Sequence, residues 1–289
     1  MAVNYRKPIV GVGLVCYYDW LNPECNPNIE TSGYWTTSAQ NIAPEKAGIG
    51  TISYWAAPHY TKNTSYLQFN NATGNDATGD RIQSSELSGV NMFPGTTQSY
   101  SIEVWCKPEF ANWDSDQVAI IEKPWITGNT IKENFNIRFE KSSTFGGFSC
   151  AFRDHDYGSY GSRGKFLKQG FGGETGNYKI NSLEESKQWF QVVAVMDFEN
   201  TYGFSTSRIM MYVNSKDHSH SGIQTMRPMT SDDFNCSFTS NQSFHVGRCW
   251  DEYDEDFQGE IGPIRIYNRA LLENEVNQNF DAQRERFGI

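Results

Sequence analysis

No stretch of this sequence is apolar for long enough to cross a membrane as a helix. The opening Met1-Ala-Val-Asn-Tyr-Arg-Lys-Pro also lacks the apolar run of a secretory signal. A soluble chain with no signal peptide, made in a cytoplasm, is the expectation. Basic residues are in short supply: 24 Lys and Arg stand against 34 Asp and Glu, a formal net charge of −10. Without a basic stripe there is nothing to hold phosphates, which argues against a nucleic-acid partner and against an anionic membrane surface. Neutral sugars, cations or plain solubility fit that balance. Cysteines number six, at positions 16, 25, 106, 150, 236 and 249, with no C-x-x-C and no zinc spacing. Cys106 and Cys150 stand in strand-like runs, where a free thiol packs as a small hydrophobe. Cys16 with Cys25, or Cys236 with Cys249, has the separation to pair across a hairpin, while reduced thiols are the competing reading for a cytoplasmic chain. Helical periodicity is missing almost everywhere.

Aromatic side chains are abundant instead, at 15% of residues, together with 25 glycines. That composition reads as many strands joined by irregular loops, and 289 residues suffice for one large all-β domain. Residues 1–12 read as an N-terminal arm, and residues 13–289 as a single domain without internal repeat or linker. The first convincing strand is Gly13-Leu14-Val15-Cys16-Tyr17-Tyr18-Asp19. Residues 22–65 are loop-rich, and their Tyr34, Trp35, Tyr54 and Trp55 serve either as covers over a core or as a sugar-stacking platform. Residues 65–70 and 81–83 are short strand candidates. Residues 99–108 alternate cleanly, with Tyr100, Ile102, Val104 and Cys106 on one face and Glu103 and Trp105 on the other. Strands follow at 118–122, 134–139, 148–152, 188–197 and 208–214, the last closed by a turn at Asn214-Ser215-Lys216-Asp217. Residues 153–181, rich in glycine, read as a long loop insertion.

The most specific wording is at the end. Residues 257–280 hold a strand in which Ile264 and Ile266 alternate with Pro263 and Arg265, so one face should be buried and the other wet. After Asn268-Arg269-Ala270, a helical spacing begins with Leu271, Leu272, Glu275, Val276 and Phe280. The run F-x-G-E-I-x-x-I-R-I-Y-N-R-A-L-x-x-x-E-V resembles the closing strand and helix of laminin-G-like, concanavalin-A-like jelly rolls. The strands at 65–70, 99–108, 188–197 and 208–214 are similar to strands of the same family. G-L-V-x-Y-Y-D, followed by Leu21-Asn22-Pro23, resembles the opening strand of such domains in bacteriophage virion proteins. The resemblance implies an all-β fold: a two-sheet antiparallel sandwich of the jelly-roll type with a short C-terminal helix. It also implies a non-enzymatic virion component, such as a capsid decoration, tail or fibre-associated protein that displays a lectin-like domain. Its partners would be other virion proteins, with cell-surface glycans and further copies of the chain as additional candidates.

The same family contains glycoside hydrolases, whose retaining members need two carboxylates about 5–5.5 Å apart. On a strand that pattern is E-x-D-x-x-E. Glu252-x-Asp254 begins it, but Phe257 stands where the last acid belongs, and the run reads as a loop. No nucleophile elbow, zinc-protease motif or phosphate loop occurs. Calcium is the cofactor the resemblance suggests, with Asp251, Asp254 and Asp256 as oxygen ligands; a solvated acidic turn is the plainer reading. Asp154 and Asp156 flank His155, and His218 and His220 mark an exposed hairpin tip. A rim of Asp154, His155, Tyr157, Tyr160, Trp250 and Tyr253 would combine stacking faces with hydrogen-bonding groups. Such a rim suits a glycan or another protein chain.

Overall fold

The structure is a computed structural model that describes residues 8–45, 51–70, 80–84, 99–109, 117–127, 130–141, 146–153, 166–170, 180, 183–197, 201–202, 208–217, 224–225, 243–248 and 256–289. The strands in the first part of the chain are β1 (Leu14–Tyr18), β2 (Gly33–Tyr34), β3 (Ser38–Gln40), β4 (Thr51–Ala56), β5 (His59–Tyr60), β6 (Leu67–Asn70) and β7 (Arg81–Ser84). The middle of the chain forms β8 (Tyr100–Pro108), β9 (Gln117–Thr127), β10 (Thr130–Lys141), β11 (Gly146–Arg153) and β12 (Phe166–Gly170). A four-residue helix α1 (Leu183–Ser186) precedes β13 (Phe190–Asp197), β14 (Arg208–Val213), β15 (Lys216–Asp217), β16 (Gln224–Thr225), β17 (His245–Val246) and β18 (Gln258–Tyr267). Helix α2 (Glu273–Gln283) runs into a 3-10 turn at Arg284–Phe287.

Among the described residues these strands form two antiparallel sheets. One runs β15-β14-β13-β8-β18-β6-β5-β2, with β1 also paired to β18. The other runs β16-β12-β11-β10-β9-β17-β7-β4-β3. We call them the front sheet (β18-containing) and the back sheet (β9-containing). This is the two-sheet sandwich that the alternating strands call for. The residues between the sheets come from alternate positions of both: Ile102, Val104 and Cys106 of β8, Ile264 and Ile266 of β18, Phe135, Ile137 and Phe139 of β10, and Phe148 and Cys150 of β11. Trp20 and Trp35 close one side, their rings 5.5 Å apart in an edge-to-face contact. Trp20 Nε1 donates to Gly262 O at 2.9 Å, so the indole N–H is satisfied in the core.

Sequence order explains why β18 lies where it does. Its first half pairs with β6 and its second with β1, while β8 runs along its whole length on the other side. Gly259 makes that crowding possible. Its φ of +137° is a conformation few side chains tolerate, and a Cβ there would lie 2.2 Å from Lys107 O. Here is the reason for glycine in the F-x-G-E run.

The structure departs from the sequence expectation in three places. Residues 33–60 hold the short strands β2 to β5, where only loop was expected; β2, β3 and β5 are two or three residues long, too brief to register as a period. Within 153–181, expected as loop throughout, β12 pairs with β11. Arg265, expected on a wet face, is fully buried, as are Glu103 and Trp105. The cause is α2, which lies over the outer face of the front sheet and encloses a second apolar cluster there. Val193, Val195, Tyr212, Tyr267, Leu271 and Val276 belong to it. A strand covered on both faces reads as a continuous apolar run, which is why β13 is FQVVAVMD.

Residues 8–12 dock against that helix. Asn279 Oδ1 accepts from Val10 N–H at 2.8 Å, and Gln278 Nε2 donates to Pro8 O at 2.7 Å. Four cysteines, Cys16, Cys25, Cys106 and Cys150, are free thiols in the interior. Burial pushes the Cys25 thiol up to about 12, so it packs as a neutral group.

Candidate functional site

The polar residues buried on the two outer faces carry the chemistry of this sandwich. On the front sheet, strict alternation in β8 aims Glu103 outward, opposite Arg265 of β18. Arg265 Nη1 donates to Glu103 Oε1 at 2.5 Å, and Gln191 Nε2 and Trp105 Nε1 donate to the same oxygen at 3.0 and 3.1 Å. Asn279 Nδ2 of α2 donates to Oε2 at 2.7 Å. The guanidinium of Arg265 also lies 4.7 Å from the centre of the Tyr17 ring. Burial would lower the Arg265 pKa, but the Glu103 carboxylate outweighs it and holds the guanidinium above its ordinary value. Both oxygens of Glu103 are therefore bound to the protein's own donors, and this carboxylate fastens a helix rather than facing a substrate.

A second latch sits beside it. Arg286 Nη1 donates to Asp19 Oδ2 at 2.8 Å, and Arg286 Nη2 donates to Asp19 Oδ1. Burial alone would raise the Asp19 carboxyl, but the Arg286 hydrogen bonds and charge hold it below the usual carboxylate range.

On the back sheet, alternation around Ile82 and Val246, which point into the core, turns Arg81, Gln83 and His245 to the outer face. Register then lines up Gln83, His245, Glu122 and Asn136 across β7, β17, β9 and β10. Arg138 Nη2 stands 3.5 Å from Glu122 Oε2. At one end, Arg248 Nε stands 3.1 Å from Asp256 Oδ1. Arg81, His245, Glu122, Asn136, Arg138 and Arg248 are all buried. Burial, and then the charges of Arg81 and Arg248, push His245 down to about 3, so its ring is neutral at every ordinary pH. Arg81 is pushed down to about 10 by burial and by Arg248, against the pull of Asp256. The result is a polar strip of arginines, amides and a neutral imidazole in which Glu122 is the carboxylate among the described side chains of these strands.

Of the residues singled out from sequence, Asp154, His155, Tyr157, Tyr160, Trp250, Asp251, Tyr253 and Asp254 lie outside the described residues. So do Asp156, Glu252, His218 and His220. Asp256 is described, and its partner is Arg248; a carboxylate that faces a guanidinium is a poor cation ligand. Among the described residues, no group of three or more His, Cys, Asp or Glu is placed to hold a metal, and no helix is long and apolar enough to cross a membrane. Of the four aromatics in the loop-rich stretch, Trp35 is a core cover, Tyr34 is 74% exposed and Tyr54 is 40% exposed, while the Trp55 side chain lies outside the described residues. His245 and Arg81 escape the sequence reading, although the adjacent Ile82 and Val246 mark their face by period-two alternation; Arg248, beyond the break at Gly247, carries no such signal.

A search of curated proteins finds no match to the sequence. Among solved structures, the Trypanosoma rangeli sialidase matches with a TM-score of 0.51 at 12% identity, over 96% of this chain and 34% of the sialidase chain. The binding domain of botulinum neurotoxin serotype D matches with a TM-score of 0.51 at 11% identity, over 94% of this chain and 51% of that one. The chain thus spans about a third to a half of the structures it resembles, and at these identities the likeness speaks for the fold alone. The sequence itself matches the laminin G family model described as the concanavalin A-like lectin/glucanases superfamily, over residues 76–277. That range takes in more than half of the chain, including the closing strand and the start of its helix, and the chain belongs to this superfamily.

Proposed function

We propose that this protein is a non-enzymatic binding module, a lectin-like sandwich that attaches to its partners through loops and outer faces. The observation that supports this reading most is the use made of its sheet carboxylates. Glu103 is saturated by Arg265, Gln191, Trp105 and Asn279, and Glu122 faces Arg138. A retaining glycosidase needs two carboxylates about 5–5.5 Å apart and open to a sugar, and neither of these two is open. The setting we infer is a virion, as a capsid decoration, tail or fibre-associated protein. That inference rests on the G-L-V-x-Y-Y-D opening strand, whose residues 13–19 lie before the matched family range. Other virion proteins would then be its principal partners.

A soluble carbohydrate-binding lectin is the second reading. Asp154, His155, Tyr157, Tyr160, Trp250 and Tyr253 favour it, because they combine stacking rings with hydrogen-bonding groups on two segments of the chain. Sedimentation and a glycan array, run with and without calcium, separate the two. Co-sedimentation with large assemblies and no glycan signal supports attachment to a virion. Selective, calcium-dependent glycan binding that Asp254→Ala abolishes supports the lectin and a calcium site at Asp251 and Asp254. Hydrolysis of a glycan on the array would overturn the non-enzymatic reading.

A further inference from the structure

The chain enters the sandwich through a tight reversal. Gly11 O accepts from Leu14 N–H at 3.2 Å, which closes a turn over Gly11-Val12-Gly13-Leu14. Gly13, third in that turn, has a φ of +74°, the left-handed conformation such a turn needs at this position. Arg269 Nε donates to Val12 O at 3.0 Å and Glu45 Oε1 accepts from Gly13 N–H at 3.0 Å, which holds the turn against the body. The reversal lays residues 8–10 back over α2 of their own chain.

What receives them is a groove that reads peptide backbone. Asn279 Nδ2 donates to Glu103 Oε2 at 2.7 Å and to the Tyr267 hydroxyl at 2.9 Å. A carboxylate only accepts, so the amide nitrogen must face Glu103 and the amide oxygen is turned to the opposite side. That oxygen takes the Val10 N–H at 2.8 Å, and the Tyr267 hydroxyl donates to Val10 O at 3.3 Å. Both polar backbone groups of one residue are thus held. One helical position earlier, Gln278 Nε2 donates to Pro8 O at 2.7 Å. The Val10 side chain is buried in the apolar cluster of Leu14, Tyr267, Leu271 and Val276, and Ile9 packs against the same cluster.

We infer that this groove accepts residues 8–10 of a second copy as well as its own, so that two copies of the chain exchange arms. In the exchanged pair every groove contact recurs between chains, and only the turn at 11–14 with its two side-chain contacts opens. The pair is symmetric, each copy giving one arm and taking one. Because the groove contacts are common to both forms, the balance lies between the turn and the freedom lost on association. Residues 11–13 join Val10 to Leu14 and span about 10 Å when extended, so the two copies meet at the turn itself. Val12 stands there with 69% of its surface exposed, an apolar side chain that such a contact covers.

The test is the mass of the full chain in solution, measured by light scattering over a concentration series. Wild type is compared with Gly13→Val and with Gly13→Val combined with Val10→Asp. A β-branched side chain resists the left-handed conformation, and its Cβ would stand 2.9 Å from Asn268 Oδ1, so Gly13→Val opens the turn and leaves the groove intact. The expected result is a dimer that associates about tenfold more tightly than wild type. Adding Val10→Asp, which denies the arm its apolar seat, should return it to a monomer. A labelled peptide of residues 1–12 supplies a second readout on full-length Val10→Asp, whose own arm is released. That peptide should bind, and the same peptide carrying Val10→Asp should not. A Gly13→Val protein that stays monomeric, or a dimer that persists with Val10→Asp, overturns the exchange. Should Gly13→Val fail to fold, the peptide decides, and its failure to bind overturns the exchange equally.

Discussion

The two outer faces of this sandwich solve the same problem in opposite ways. Over the front sheet the chain supplies its own lid: α2 brings Asn279 to Glu103, and the Arg286 turn brings a guanidinium to Asp19. Every charge under that lid has a named partner of opposite sign or a full set of donors. The back sheet instead lines up Arg81, Arg138, Arg248 and a neutral His245 against Glu122 and Asp256, and the two nearest arginines depress the histidine's proton affinity. Burial is the larger cause of that depression, and the arginine charges add to it. The comparison teaches that buried charge in this fold has two roles. On one face it fastens a helix, and on the other it forms a buried polar strip across the strands.

Mutations at the front face should have the largest effects. Gly259→Ala forces a side chain into a left-handed backbone conformation and into Lys107 O. It should cost about 4 kcal/mol, or prevent folding outright, as read by chemical denaturation. Next comes the latch itself. Glu103→Ala strands the Arg265 guanidinium under α2, with an expected loss of about 3–5 kcal/mol. Glu103→Leu combined with Arg265→Met removes both charges and should recover most of that loss. Equal destabilisation in the single and double variants would mean that shape, and not charge, holds the helix.

The back face should speak through pH. The folded pKa of His245 lies near 3, below an unfolded value of about 6.5, so the unfolded chain takes up the proton first. The neutral ring's stability is therefore present above pH 6.5 and lost as pH falls towards 3, at up to about 1.4 kcal/mol per pH unit. His245→Gln should flatten that limb in a series of denaturation curves. The Asp19 carboxyl gives a smaller effect at lower pH. Its folded pKa is depressed, so its contribution is present above the unfolded value of about 3.9 and fades as acid protonates it. Arg286→Met should remove that dependence and cost about 1–3 kcal/mol near neutrality. If His245→Gln left the pH profile intact while Arg286→Met altered it, the contrast between the faces would be reversed.

Much of the fold was legible before any coordinates. Alternation in YSIEVWCK and NFNIRF marked β8 and β10 and their inward faces, because a strand's side chains have a period of two and the sandwich buries one side. The turn at Asn214-Ser215 was equally plain, and both residues have positive φ, 50° and 65°. What escaped was pairing at a distance. Strands β2 to β5 and β12 exist because neighbours supply their hydrogen bonds, and a two-residue strand carries no period of its own. The candidate site was read from local clusters of acids and rings, and most of those residues lie outside the described part of the chain. The row that crosses the back sheet was invisible for a simpler reason: Gln83, Glu122, Asn136 and His245 are scattered over more than half of the sequence.

The sequence by itself determined the class of fold, the inward face of the long strands, and the closing strand with its helix. These follow from local sterics and from the period of side chains along a strand, which depend only on near neighbours in the chain. Tertiary structure decided which polar residues are buried and with whom. Arg265 looks like a surface residue in its own strand, and it is a buried ion only because α2, eight or more residues further on, folds back over the sheet. Charge burial is a property of what lies above a residue, and that is settled by chain reversal and strand order rather than by the residues on either side.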